Sequence, residues 1–294
     1  MKNVLVVLVM LMSVALRAQD SGEFTVPFSS PTSPFKLLVD IKTGSVKIKG
    51  TARKDVYVKY SSEKDNDGDR DDDNDDEKRG RSGHRVKVNV DVNDGEKHGR
   101  SNREGLKKIS SGTMNLEASE YQNTVKVNSD NWGSRIEVTI EVPSTITMKV
   151  KTYNDGDLDV NNITGTVELI NYNGAITATG ISGTVVAETY NGDIKIAYDK
   201  LTPDTPLSYA NYNGDIDLTF PTGFKGSFKM KTKQGEIYSG FDTQVQKASP
   251  VTKTESKTGV YKVVIDDWVK ADVNGGGPEI SIQTYNGDIY LRKK

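Results

Sequence analysis

The sequence predicts an all-β chain, and three observations carry that expectation. A glycine-turn hexapeptide recurs six times, apolar and polar residues alternate strictly around each copy, and the composition is poor in helix formers. The architecture favoured by the spacing is a parallel β-helix or β-solenoid with coils of about 18–22 residues and one long polar insertion. An antiparallel meander is the open alternative.

Composition sets the outer bounds. Only 34% of the 294 residues are hydrophobic and 27% are charged, so any core is thin relative to its perimeter. Glycine is common (27), proline is not (9), and Val, Ile, Thr, Tyr and Asn abound, which suits short strands joined by tight turns. The absence of Cys excludes a disulfide framework, a thiol nucleophile, a zinc–thiolate site and an iron–sulfur cluster. Two His leave little for histidine catalysis or metal binding, and a formal net charge of −2 provides no footprint for nucleic acid. No catalytic residues, cofactor or metal site are expected.

Residues 1–18 read as a signal peptide: Lys2, an apolar run over 4–16, and Ala18 ahead of Gln19. As a helix that run spans about 20 Å, short of a ~30 Å hydrocarbon core, so a cleaved leader is expected and no transmembrane segment after cleavage. No Cys follows to take a lipid. The expected location is outside the cytoplasm: periplasm, cell surface or medium. Residues 19–294 are expected to form a single solenoid domain.

The hexapeptide appears first with one extra residue, as Thr152-Tyr153-Asn154-Asp155-Gly156-Asp157-Leu158. It returns as Asn171-Tyr172-Asn173-Gly174-Ala175-Ile176, Thr189-Tyr190-Asn191-Gly192-Asp193-Ile194 and Asn211-Tyr212-Asn213-Gly214-Asp215-Ile216. A weaker copy is Thr232-Lys233-Gln234-Gly235-Glu236-Ile237, and the last is Thr284-Tyr285-Asn286-Gly287-Asp288-Ile289. The first three turn glycines are 18 apart, with Gly165 and Gly183 halfway between them. Ahead of each turn, sets such as Met148, Val150 and Thr152 share one face while Lys149, Lys151 and Tyr153 share the other. After it the acidic residue points out and Leu158, Ile176, Ile194, Ile216, Ile237 or Ile289 points in. Asn-Gly between alternating strands is also a hairpin signal, which keeps the meander in play. A solenoid explains why the same residue recurs at each place, since equivalent residues then stack about 4.8 Å apart.

The run Ile136-Glu137-Val138-Thr139-Ile140-Glu141-Val142-Pro143, then Met148-Lys149-Val150-Lys151-Thr152-Tyr153 and the stacked turns, resembles the DUF4097 family, labelled adhesins by similarity. Leu38-Val39-Asp40-Ile41-Lys42-Thr43-Gly44-Ser45-Val46-Lys47-Ile48-Lys49-Gly50 looks like its first rung, and residues 281–291 like its last. The resemblance spans roughly 35–294 apart from the polar insertion. It implies a parallel β-helix from an envelope or secreted protein, often bacterial, with no established enzyme activity and no catalytic residues to carry over.

Residues 61–113 interrupt the pattern. Positions 61–80 carry ten acidic and four basic side chains, and 81–110 carry eight basic and four acidic. Such a stretch buries too little apolar area to offset the entropy of ordering it, so a largely disordered charged insertion is expected. Asp65-Asn66-Asp67-Gly68-Asp69 resembles part of an EF-hand loop, but the bidentate position falls on Asn74 and the ligand set is incomplete. Weak calcium binding by this acidic insertion is the outside reading, and His84 and His98 read as solvated. Residues 241–278 are expected to be an irregular excursion before the last rung, with Trp268, like Trp132, capping the core.

The outward tyrosines Tyr153, Tyr172, Tyr190, Tyr212 and Tyr285 are expected to form a column broken by Lys233. It reads either as a self-stabilising ladder or as an aromatic strip for a glycan or an envelope protein. Beside it runs an acidic ladder, Asp157, Asp193, Asp215, Glu236 and Asp288, expected to bond N–H groups within each turn. Enzymatic β-helices set carboxylates in one cleft, whereas here they repeat evenly, and both His lie in the insertion. The expected function is an exported, non-catalytic, adhesin-like surface or envelope binding protein. The alternative is a periplasmic scaffold or stress-response component; a polysaccharide-active enzyme is the third class.

Overall fold

The computed structural model describes residues 21–30, 33–63, 115–201, 205, 207–246, 251–254, 261–264 and 268–294. The expected signal peptide, the EF-hand-like stretch and both His lie outside these residues, as does the expected insertion beyond residue 63.

The first strands are β1 (Ser21–Pro27), β2 (Lys36–Thr51) and β3 (Asp55–Glu63), followed by β4 (Glu117–Tyr121), β5 (Thr124–Ser129) and β6 (Arg135–Pro143). The repeats supply β7 (Thr147–Asn154), β8 (Leu158–Asn161), β9 (Thr166–Asn173), β10 (Ile176–Ile181), β11 (Thr184–Asn191) and β12 (Ile194–Tyr198). Next come β13 (Leu207–Ala210), β14 (Ile216–Phe220), β15 (Gly226–Lys231), β16 (Ile237–Ser239) and β17 (Thr243–Gln246). The chain ends with β18 (Val251–Thr254), β19 (Tyr261–Val264), β20 (Val269–Val273), β21 (Glu279–Gln283) and β22 (Ile289–Lys293). No helix occurs among the described residues.

Each coil is one strand in a first sheet, a glycine turn, and one strand in a facing second sheet. Neighbouring coils pair parallel, which decides for the solenoid over the meander. The register puts like on like: Val46, Leu158, Ile176, Ile194, Ile216, Ile289 and Ile237 are successive cross-strand partners in the second sheet. In the first sheet Met148 lies beside Val167 and Val167 beside Val185. The predicted alternation follows: β7 alternates buried and part-exposed positions, and Leu158, Ile176, Ile194, Ile216 and Ile289 are fully buried. Each such side chain stabilises the fold by roughly 1.5–3 kcal/mol. Ile237 departs from expectation and is only half-buried. It sits on the outermost coil, where no further strand of its sheet covers it among the described residues.

Stacking order is not sequence order. The single long strand β2 is a whole coil, and it lies between the β5–β6 coil and the β7–β8 coil. At the other end the β21–β22 coil is inserted between β13–β14 and β15–β16. Both sequence-terminal coils are thus locked inside the stack. Antiparallel strands close its ends: β3 beside β6 and β1 beside β3, β4 beside β5, and β20 then β17 beside β15. The stretch 241–278 therefore contains two strands of the first sheet, and β18 pairs with β19 in a separate hairpin.

Phenylalanines, not tryptophans, fill the ends of the core. Phe220 stacks on Phe224 with centroids 4.5 Å apart, and Phe228 and Phe241 complete that cluster. Phe28 stacks on Phe35 at 4.3 Å near the other end. Trp132 is 56% exposed, and half-buried Trp268 lies under Lys229 Nζ at 4.6 Å. An indole N–H needs a polar partner that a thin apolar core does not offer, whereas Phe has nothing to satisfy. Among the buried aromatic rings of the described residues, Tyr198 and Tyr209 carry a polar group. Their hydroxyls meet at 2.5 Å, and burial pushes both phenols far above their ordinary value.

Candidate binding face

Every position of the hexapeptide has a distinct job at the corner between the two sheets. In five of the six copies, Thr152 being the exception, the inward Thr or Asn donates to the glycine carbonyl of a neighbouring coil: Asn171 Nδ2 to Gly156 O (2.9 Å), Thr189 Oγ1 to Gly174 O (3.0 Å), and Thr232 Oγ1 to Gly287 O (2.8 Å) among them. The second Asn forms an amide ladder. Asn191 Nδ2 donates to Asn173 Oδ1, Asn213 to Asn191 and Asn286 to Asn213, each at 2.7 Å. Gly192 has φ +147°, and a Cβ there would lie 2.2 Å from Gly174 O, so the coils approach too closely for any side chain.

The acidic ladder works between coils, not within a turn as expected. Asp157 Oδ1 accepts from Ala175 N (2.8 Å), Asp193 from Asp215 N (2.9 Å), Asp215 from Asp288 N (2.8 Å) and Asp288 from Glu236 N (2.8 Å). The parallel stack brings the N–H of the next coil under each carboxylate, a geometry that no single turn displays. Four of these carboxylates are thereby engaged with backbone. Among the described residues, no group of three or more His, Cys, Asp or Glu is placed to hold a metal ion.

Four of the five expected tyrosines come together. Tyr172, Tyr190, Tyr212 and Tyr285 stack in that order, with centroids 5.1, 4.9 and 4.7 Å apart and planes within 13° of parallel. Lys233 does not break this column. The insertion of the β21–β22 coil puts Tyr285 directly on Tyr212 and leaves Lys233 beyond the stack, next to Tyr285. Tyr153 stands apart. The extra residue in its turn, Asp155 at φ +52°, accompanies a different arrangement, in which the ring packs on Trp132 (5.7 Å) and receives Lys42 Nζ on its face (4.3 Å). Burial lowers the Lys42 ammonium's pKa, but the Asp40 hydrogen bond and charge outweigh it and hold the group above its ordinary value.

Around the column the first sheet presents a face of low charge. In each of the four coils, the Tyr and the two outward residues before it carry only Glu168 and Glu188 as charges. Glu168 is bridged to Lys149 at 2.6 Å. Lys149 and Lys151 bound this face on one side, and Lys229, Lys231 and Lys233 on the other. A second, shorter aromatic pair escaped the reading of the sequence: Tyr238 stacks on Tyr290 at 5.2 Å. The Tyr290 phenol is held up to about 12 by its hydrogen bond to Asp288. The signal was an Ile-Tyr pair at 237–238 and 289–290, immediately after two of the turns.

The model of the Toastrack DUF4097 family matches residues 108–267, more than half of the chain. The chain belongs to this family. The β2 and β21–β22 coils of this Toastrack protein lie outside the matched residues yet continue the same stack. A proposed cell adhesion protein from Clostridium sporogenes is similar in structure, with TM-score 0.44, 10% identity, and coverage of 93% of this chain and 100% of that one. A proposed adhesin from Bacteroides fragilis is similar with TM-score 0.37 and 10% identity, covering 95% and 98%. No curated protein matches the chain. Among the described residues, no helix is long and apolar enough to cross a membrane.

Proposed function

We propose that this Toastrack protein is an exported, non-catalytic binding protein that acts as an adhesin-like surface in the cell envelope or outside the cell, with a glycan or an envelope protein as its partner. The observation that carries this reading is the outer face of the first sheet. There four exposed tyrosines, 39–52% accessible, lie in a straight rigid row inside a field of low charge. Contiguous exposed aromatic surface of this kind marks contact with a macromolecule. Against catalysis stand the ladder carboxylates, spaced evenly from coil to coil, four of them occupied by backbone N–H groups of the neighbouring coil.

Replacing Tyr172, Tyr190 and Tyr212 together with Ser tests the reading. Stability is expected to fall, because three offset ring contacts go. Attachment to bacterial cells or an immobilised glycan panel, measured per folded molecule, is expected to drop about tenfold or more. Unchanged attachment per folded molecule would reduce the column to a structural ladder.

A further inference from the structure

Resting on that binding role, we infer that the partner of the tyrosine row is a linear, uncharged, β-linked polysaccharide. It lies along the stacking axis with one sugar ring per coil and is held through the phenol hydroxyls. The geometry of the stack excludes the usual mode of aromatic–sugar contact over most of its length. Tyr190 and Tyr212 each have a parallel ring on both faces, so they show solvent only their edges and hydroxyls. Ring-face stacking of a sugar is closed to them.

What remains available is a row of hydrogen-bonding groups. Among the described residues, none of the four phenol hydroxyls has a protein hydrogen-bond partner, although Tyr238 and Tyr290 both bond carboxylates. A phenol both donates and accepts, which suits the hydroxyl-rich edge of a sugar. The interval is set by the fold: ring centroids repeat every 4.7–5.1 Å, the spacing of parallel strands. In an extended β-linked pyranose chain, successive rings follow one another at close to that same interval. A polymer with this repeat brings one hydroxyl-bearing ring edge to each tyrosine, successive rings presenting alternate edges, and a phenol that both donates and accepts can bond either edge.

Charge and relief favour the same class. Among the described residues the charges nearest the row are acidic, Glu188 on the face and the aspartate ladder at the corner, and the lysines lie at the margins, so a polyanion finds no counter-charge along the middle. Beside Tyr212 the outward side chains Ser208 and Ala210 are small, and their partners in the next coil are Ser281 and Gln283, all of them uncharged.

The test is a set of calorimetric titrations on the exported protein, with cello-oligosaccharides and N-acetylated chito-oligosaccharides of increasing length, and oligogalacturonate as the charged control. Affinity is expected to rise with each added ring up to about four, matching the four stacked tyrosines, and then level off. A variant with Tyr172, Tyr190, Tyr212 and Tyr285 all changed to Phe keeps the ring stack and loses only the hydroxyls. It is expected to melt like the parent and to bind about tenfold or more weakly, four modest hydrogen bonds being lost together. Undiminished binding by the Phe variant, tighter binding of oligogalacturonate, or no heat with any neutral oligomer would each overturn the inference. If the Ser variant has lost attachment in that case, the binding role stands and only the polysaccharide assignment falls. If the Ser variant attaches normally, the binding role itself falls.

Discussion

Gly287→Ala is expected to destabilise the protein by on the order of 4 kcal/mol, a large share of the ~5–15 kcal/mol that holds a domain folded. Gly287 has φ +150°, and a Cβ at that position would lie 1.9 Å from the carbonyl oxygen of Gly214 in the neighbouring coil. Relief by movement is blocked. The Gly214 carbonyl also receives Thr284 Oγ1 at 3.3 Å, and the Gly287 carbonyl receives Thr232 Oγ1 from the far side. Shifting the turn therefore breaks bonds to two coils at once. Gly223→Ala is the matched control, since nothing lies within 4 Å of its Cβ position, and it is expected to be neutral within ~0.5 kcal/mol. Urea unfolding followed by circular dichroism measures both. Equal midpoints for the two variants would mean that the turns are not in contact.

Removing residues 279–294 is expected to abolish cooperative folding altogether. In a solenoid stacked in sequence order, loss of the last coil only shortens the rod. Here β21 and β22 lie between β13–β14 and β15–β16, so their removal takes a partner from four strands. Ile280, Ile282, Ile289 and Leu291 are all at most 1% exposed. At roughly 1.5–3 kcal/mol each, these four account for about 6–12 kcal/mol, which is comparable to the whole stability of a domain. The truncated chain should be digested rapidly by a non-specific protease and show no sharp melt. A cooperative melt close to that of the full chain would show that the C-terminal coil is peripheral.

The repeat motif made the architecture legible because a parallel stack needs the same residue at the same corner. Asn, Tyr and the turn glycine each meet their own kind, and inward Ile meets Ile, Leu or Val. Inward and outward parity was equally readable from Met148, Val150 and Thr152 against Lys149, Lys151 and Tyr153. The order of the coils was not. An Ile at 216 packs as well on Ile237 as on Ile289, so hydrophobic pattern is silent about which coil is the neighbour. The one hint was chemical: the degenerate hexapeptide with Lys233 and Gln234 belongs to the outermost coil, where sameness is required on one side only. The same blindness hid the continuity of Tyr212 with Tyr285. Tyr153 left the column for a reason visible in its turn, the additional Asp155, but its destination depends on contacts with Trp132, 21 residues earlier, and Lys42, 111 residues earlier. The antiparallel end strands carry no turn repeat, so their place in the stack had no signature, although the alternation of Val56 and Val58 with Tyr57 and Lys59 marks a strand. For the acidic ladder the residues were identified correctly and their partners were not, because the N–H each one holds belongs to another coil.

The sharpest check on the inserted coil uses the absence of native cysteine. Asn213 is paired with Asn286, and Asn286 with Gln234, so Asn213 and Gln234 are two rungs apart. Adjacent rungs at about 4.8 Å are within disulfide reach, whereas two rungs at about 10 Å are not. Oxidising the double variant Asn213→Cys with Asn286→Cys should yield an intramolecular bridge, seen as a gel shift reversed by reductant. Asn213→Cys with Gln234→Cys should yield none. Bridging in the second variant and not the first would contradict the inserted coil.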